Sequence, residues 1–100
     1  MAVGLVTIDK NRLAELCRQY GVKELRMFGS AVRGTLNNTS DLDFLVEFQP
    51  DAQPGLLDHA GLMLDLSELT GRKVDLVSKN ALKPMIRDKI LSESQPLYAA

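Results

Sequence analysis

The sequence predicts a small α/β domain, a short sheet flanked by helices, and three observations carry that prediction. Apolar strand-like runs alternate along the chain with segments of helical period, which is the pattern of helices packed on a sheet. At 100 residues and 45% apolar content, the chain has room for one modest core and for no second domain. No internal repeat or low-complexity tract interrupts the alternation.

Taken in order, Thr7 is the expected cap of a first helix running to about Tyr20. Leu13, Leu16, Cys17 and Tyr20 fall at i, i+3, i+4 and i+7, one apolar stripe, and Gly21 is a fitting stop. Cys17 lies on that stripe and reads as a small buried hydrophobe. Val22 to Phe28 is the first expected strand. Ser30 to Arg33 reads as a single helical turn, entered at Gly29 and ended by Gly34. Thr35 to Ser40 is polar turn chemistry. Asp41 to Phe48 is the second strand, with Leu42, Phe44 and Val46 on one face and Asp41, Asp43, Leu45 and Glu47 on the other. The presence of Leu45 in the second set implies core on the far part of the aspartate face.

A loop with Pro50 and Pro54 leads to a helix over Leu56 to about Thr70, closed by Gly71. Its polar stripe is narrow, only Asp58, Asp65 and Glu68, so its apolar surface either packs on the sheet or serves a partner. Lys73 to Val77 is a third strand, too short to stand alone. Asp75 in its middle is costly unless paired, exposed at an edge, or bound to a metal. Ser78-Lys79-Asn80 is a turn, Pro84 opens a helix to about Glu93 with Ile86 and Ile90 as its inward row, and Gln95 to Tyr98 is a last extended segment. The expected sheet has three strands or slightly more.

Composition excludes several classes of function. The formal net charge is −1, so there is no general attraction to nucleic acid or an anionic membrane. One cysteine and one histidine allow neither an internal disulfide nor a zinc cluster, which suits a reducing cytosol. Met1 to Leu5 lacks the basic leader of a signal peptide. The apolar run from Gly55 to Leu69 is broken by Asp58, His59, Asp65 and Glu68 and cannot span a bilayer. The expectation is an intracellular, cytoplasmic protein. His59 lies on the long helix, away from the expected strand mouth, and Tyr20 and Tyr98 read as packing residues.

The chemistry concentrates between Met27 and Phe48. Strand period puts Asp41 and Asp43 on one face, a clamp of hard oxygen ligands for divalent cations. Gly29-Ser30 supplies a bend, a hydroxyl and a helix start, features that suit phosphate. Asp75, on a neighbouring strand, completes a set of three carboxylates of the kind that two-metal phosphoryl transfer requires. Arg33 either neutralises phosphate charge or pairs with an aspartate. Taken singly, the pieces are weak signals, and the bland alternative is that Asp41 merely ends a turn while Asp43 and Asp75 are exposed edge carboxylates. Their combination and order are specific.

Gly29-Ser30-x-x-Arg33-Gly34, then Ser40-Asp41-x-Asp43, then Val74-Asp75-Leu76-Val77 resembles the nucleotidyltransferase fold of the DNA polymerase β superfamily, and most closely the minimal nucleotidyltransferases of prokaryotes. The resemblance covers almost the whole chain. It implies a small mixed sheet with a palm-like site. Gly29, Ser30 and Arg33 would hold the nucleotide triphosphate, Asp41, Asp43 and Asp75 would bind two Mg2+ ions, and Asp75 would assist the nucleophile. It further implies an antitoxin that transfers AMP from ATP to a tyrosine hydroxyl of a HEPN-type RNase toxin. No acceptor-holding domain of the larger relatives is present in these residues, so the acceptor is expected on a partner or at a dimer interface. The apolar helix Leu56 to Leu69 is the expected surface for it. The rival readings are an antitoxin acting by contact alone and a transferase for small molecules.

Overall fold

The computed structural model describes residues 2–3, 6–37, 41–52 and 54–100. In chain order the elements are β1 (Ala2–Val3), β2 (Val6–Thr7), α1 (Lys10–Gln19), β3 (Val22–Phe28), α2 (Ser30–Arg33), β4 (Leu42–Phe48), α3 (Leu56–Thr70), β5 (Val74–Ser78), α4 (Pro84–Glu93) and β6 (Gln95–Ala99), with a 3-10 turn at Lys79–Ala81 between β5 and α4. The main sheet has the order β5-β4-β3-β6. β4 and β5 run parallel, and the other neighbours are antiparallel. It is a mixed four-stranded sheet with helices, as expected. The parallel pair exists because α3 carries the chain back to the starting end between β4 and β5, as a parallel connection requires.

The sheet has two unlike faces. Leu25 and Met27 of β3, Leu42, Phe44 and Val46 of β4, Val74 and Leu76 of β5 and Leu97 of β6 are all buried in the main core. α1 and α3 close that core with Leu13, Cys17, Leu62 and Leu66. Cys17 is fully buried, and desolvation pushes its thiol up to about 12, the inert hydrophobe that its position on the stripe implied. On the opposite face stand Asp43, Leu45 and Glu47, and Leu45 is only 2% exposed. The aspartate face therefore does carry core at its far part.

α1 starts later than expected. Thr7 pairs with Ala2 in an N-terminal hairpin, and the cap is Asp9, whose carboxylate accepts from the N–H groups of Asn11 (3.0 Å) and Arg12 (3.2 Å). Ile8 before the cap and Leu13 one turn in are both buried, so an apolar pair fixes the entry angle of the helix. Tyr20 packs beside Gly61, where a Cβ would come within 2.9 Å of its hydroxyl oxygen. That hydroxyl donates to Asp65 at 2.6 Å.

α4 also differs. Ile86, expected to face inward, is 50% exposed, Met85 is 85% exposed, and no residue of the helix is fully buried. Little of α4 packs against the sheet. It is anchored where it ends, at Ser94, whose hydroxyl and carbonyl oxygens accept from Arg26 Nε (2.6 Å) and Nη2 (3.4 Å). An apolar pattern at helical spacing marks a face but does not supply a surface to cover it.

Candidate active site at the Gly29 turn

Every candidate residue with a described position lies at one end of the sheet. β3 ends at Phe28, which stands directly opposite Asp43 at the start of β4, and Asp43 in turn is in register with Asp75 of β5. Neighbouring strands lie about 4.8 Å apart, so the two carboxylates share a face at close range. Asp41 precedes the first residue of β4 and sits two positions before Asp43, on the same face by strand period. Asp41 and Asp43 are half-buried, and Asp75 is exposed on the outermost strand. The cost of a carboxylate in this apolar strand is thus met by edge exposure. Ser40 of the sequence motif lies outside the described residues, as do Asn38 and Thr39 of the turn.

The turn between β3 and β4 is built around Gly29, with φ 78° and ψ −148°. Only glycine adopts this backbone without strain. The missing side chain matters as much, because a Cβ here would strike the Asp43 carboxylate, with Cγ only 3.1 Å away. Gly29 is therefore required twice, once for the bend and once for the approach of Asp43. Ser30 opens the four-residue α2, and the Gly29 carbonyl accepts from Val32 (3.2 Å) and Arg33 (3.1 Å). Gly34, left-handed at φ 77°, ends the turn. Arg33 is exposed and forms no ion pair with the aspartates among the described residues.

The electrostatics of this corner are unbalanced. No hydrogen bond or ion pair meets the carboxylate of Asp41, Asp43 or Asp75 among the described residues. Asp43 is held above the usual carboxylate range, first by desolvation, then by the charges of Asp75 and Asp41, with Arg33 pulling the other way. Three carboxylates without an ion-pair partner among the described residues are a hard-oxygen donor set of the kind that suits a divalent cation, whose charge would relieve this repulsion. Among the described residues, no three ligating groups already converge on one point.

Two supports were not legible in the sequence. Arg72 Nη1 donates to the Asn37 carbonyl at 2.9 Å, and the Leu42 N–H to the Lys73 carbonyl at 2.9 Å. Together they tie the segment that carries Asp41 to the start of β5. Side chain to carbonyl contacts across 35 positions leave no pattern in a sequence. His59, expected away from the strand mouth as a surface or interface residue, is half-buried, and its Nε2 lies 2.9 Å from the carbonyl of Leu76, the residue after Asp75.

Known proteins share both the sequence pattern and the fold. The pattern of the nucleotidyltransferase domain matches residues 10–97. The chain is 43% identical over 89 residues to the protein adenylyltransferase MntA of Thermococcus cleftensis, covering 89% of this chain and 85% of that protein. A solved structure described as a minimal nucleotidyltransferase superposes with a TM-score of 0.76 at 41% identity, covering 87% of each chain. A complex from Shewanella oneidensis, a tri-AMPylated HEPN toxin with its MNT antitoxin, shares the fold at a TM-score of 0.65 and 17% identity, covering 91% of this chain and 70% of that one.

Proposed function

This chain belongs to the nucleotidyltransferase domain family, and on that premise we propose that it transfers AMP from ATP to a hydroxyl of a partner protein, a tyrosine of a HEPN-type toxin, and so acts as that toxin's antitoxin in the cytoplasm. The observation that carries this reading is the register that sets Asp43 beside Gly29 on one side and Asp75 on the other. In that register the Gly29-Ser30 turn meets Asp43, with Asp75 on the next strand and Asp41 two positions before Asp43. The names of the relatives support AMP as the group moved and a toxin as the acceptor.

In this reading the acceptor oxygen attacks the α-phosphorus of ATP. A P–O bond forms, the α–β phosphoanhydride bond breaks, and pyrophosphate leaves with the bonding pair. Asp75, exposed at the edge, accepts or directs the hydroxyl proton, which then passes to solvent. Gly29 and Ser30 seat the triphosphate with backbone and hydroxyl donors, and Arg33 faces its charge. Two Mg2+ ions, when held by Asp41, Asp43 and Asp75, would neutralise the triphosphate and acidify the attacking hydroxyl.

The acceptor is read as a macromolecule rather than a small molecule because the AMPylated partner in the Shewanella oneidensis complex is a protein. α3 offers a contact surface for it or for a second copy of this chain, since Leu57 is 87% exposed and Leu64 65%. The test is transfer of label from ATP labelled at the α-phosphate, with magnesium and the candidate partner, beside Asp43→Asn. Label on one partner band that disappears in the variant supports the reading. Protection of cells by an Asp41→Asn, Asp43→Asn double variant would instead establish inhibition by contact alone.

A further inference from the structure

We propose that His59 is a positioning residue for this reaction. Its hydrogen bond to the Leu76 carbonyl holds the outermost strand, and with it Asp75, opposite Asp43. The inference rests on the reading of Asp75 as part of the transfer site.

Among the described residues, β5 has β4 on one side and no strand on the other. Main-chain groups of a strand alternate in direction, residue by residue. Because the Leu42 N–H takes the Lys73 carbonyl, the N–H and C=O groups of Asp75 and Val77 face β4. Those of Val74 and Leu76 face the open edge. The Leu76 carbonyl is thus one that the sheet itself cannot satisfy. His59 satisfies it at 2.9 Å, and since a carbonyl only accepts, the ring must carry its proton on Nε2.

The tether has a firm base. His59 projects from α3, whose Leu62 and Leu66 are fully buried in the core, so the helix is a fixed support. The strand it holds is only five residues long. The Asp75 side chain has no hydrogen-bond partner of its own among the described residues. Its place opposite Asp43 therefore comes from the β5 backbone, pinned by β4 on one side and by His59 on the other. The sequence contains no other histidine, and this one sits at the position where an edge donor is required.

The test uses the full chain with His59→Ala and His59→Gln, each checked for native helix and sheet content. Two quantities are read: hydrogen exchange at the Asp75 and Val77 amides, and steady-state AMP transfer well below the melting temperature. In His59→Ala, exchange at those amides should quicken ~10-fold as the strand opens more often. Loss of precise placement should lower kcat by ~3- to 10-fold. The KM for ATP should change less than kcat, because Gly29, Ser30, Asp41 and Asp43, which make most of the nucleotide contacts in this reading, lie on other segments. Glutamine, which can present an N–H to the same carbonyl, should restore both. Unchanged exchange, or faster exchange with wild-type kcat, overturns the proposal and leaves His59 as edge protection alone. A wild-type chain that transfers nothing removes the reaction and the positioning role with it, while the exchange measurement still reports whether the tether exists.

Discussion

Replacing Asp43 by asparagine should stabilise the protein while abolishing its activity. The carboxyl of Asp43 is raised above its ordinary value of 3.8 by burial and by Asp75 and Asp41. The folded state therefore keeps this proton to a higher pH than the unfolded chain does. Stability falls as pH rises from 3.8 through the raised value, and the penalty is fully present at pH 7. Two carboxylates about 5 Å apart repel by ~0.8 kcal/mol in bulk water and ~3 kcal/mol at the effective dielectric of a protein surface. Asp75 is exposed, so solvent screening places this pair near the lower limit, at ~1 kcal/mol. Asparagine keeps the shape and removes the charge. The expected gain is ~1 kcal/mol at pH 7 in 0.1 M salt, or ~4–8 °C in melting temperature for a domain of this size. Urea unfolding of both proteins at pH 7 and at about pH 2.5 measures it, and the gain should vanish at the lower pH, well below the ordinary carboxyl value, where both states of the wild type are protonated. AMP transfer should fall roughly a hundredfold or more, as when a charge-stabilising group is lost from a transition state. An asparagine variant less stable than wild type at pH 7 would refute the reasoning, since it would mean that the carboxylate has a favourable partner in the bare protein.

Further outcomes follow from other parts of the structure. Gly29→Ala should cost ~1–3 kcal/mol from backbone strain and displace the Asp43 carboxylate, so that urea unfolding and transfer assays both register the loss. Cys17, fully buried with its thiol pushed up to about 12, should resist alkylation at pH 8 in the native protein and react promptly in denaturant. Tyr20→Phe removes the 2.6 Å bond to Asp65 and should destabilise by ~1 kcal/mol, because the pair is partly solvated. Leu57→Glu together with Leu64→Glu should change stability by no more than ~0.5 kcal/mol each. If α3 is the partner surface, the same pair should weaken capture of the toxin in a pull-down.

Where local rules dominate, the elements were readable in advance. β3, α2 and α3 run over the predicted residues, because Gly21, Gly29, Gly34 and Gly71 all take positive φ where the chain must turn. Neighbouring local signals misled in two places. Thr7 and Asp9 are both good caps, and the choice fell to Asp9 because the Thr7 backbone is paired in a hairpin. Ile86 and Ile90 have helical spacing, but spacing cannot say whether a surface lies beneath, and α4 leaves Met85 and Ile86 largely open.

The three aspartates and the Gly-Ser turn, with the chemistry they can support, were determined by the sequence alone, since strand period and glycine stereochemistry act over a few residues. Only the tertiary structure decided how they meet. The pairing of Asp43 with Asp75 depends on the parallel register of β4 and β5 across a 15-residue helix. The clearance of Gly29 for the Asp43 carboxylate depends on the antiparallel register of β3 and β4. The tethers from Arg72 and His59 end on backbone carbonyls, and every residue type carries a carbonyl. A side-chain donor aimed at a group common to all residues leaves no mark on the sequence at the accepting end. Such supports become visible only once the chain is folded.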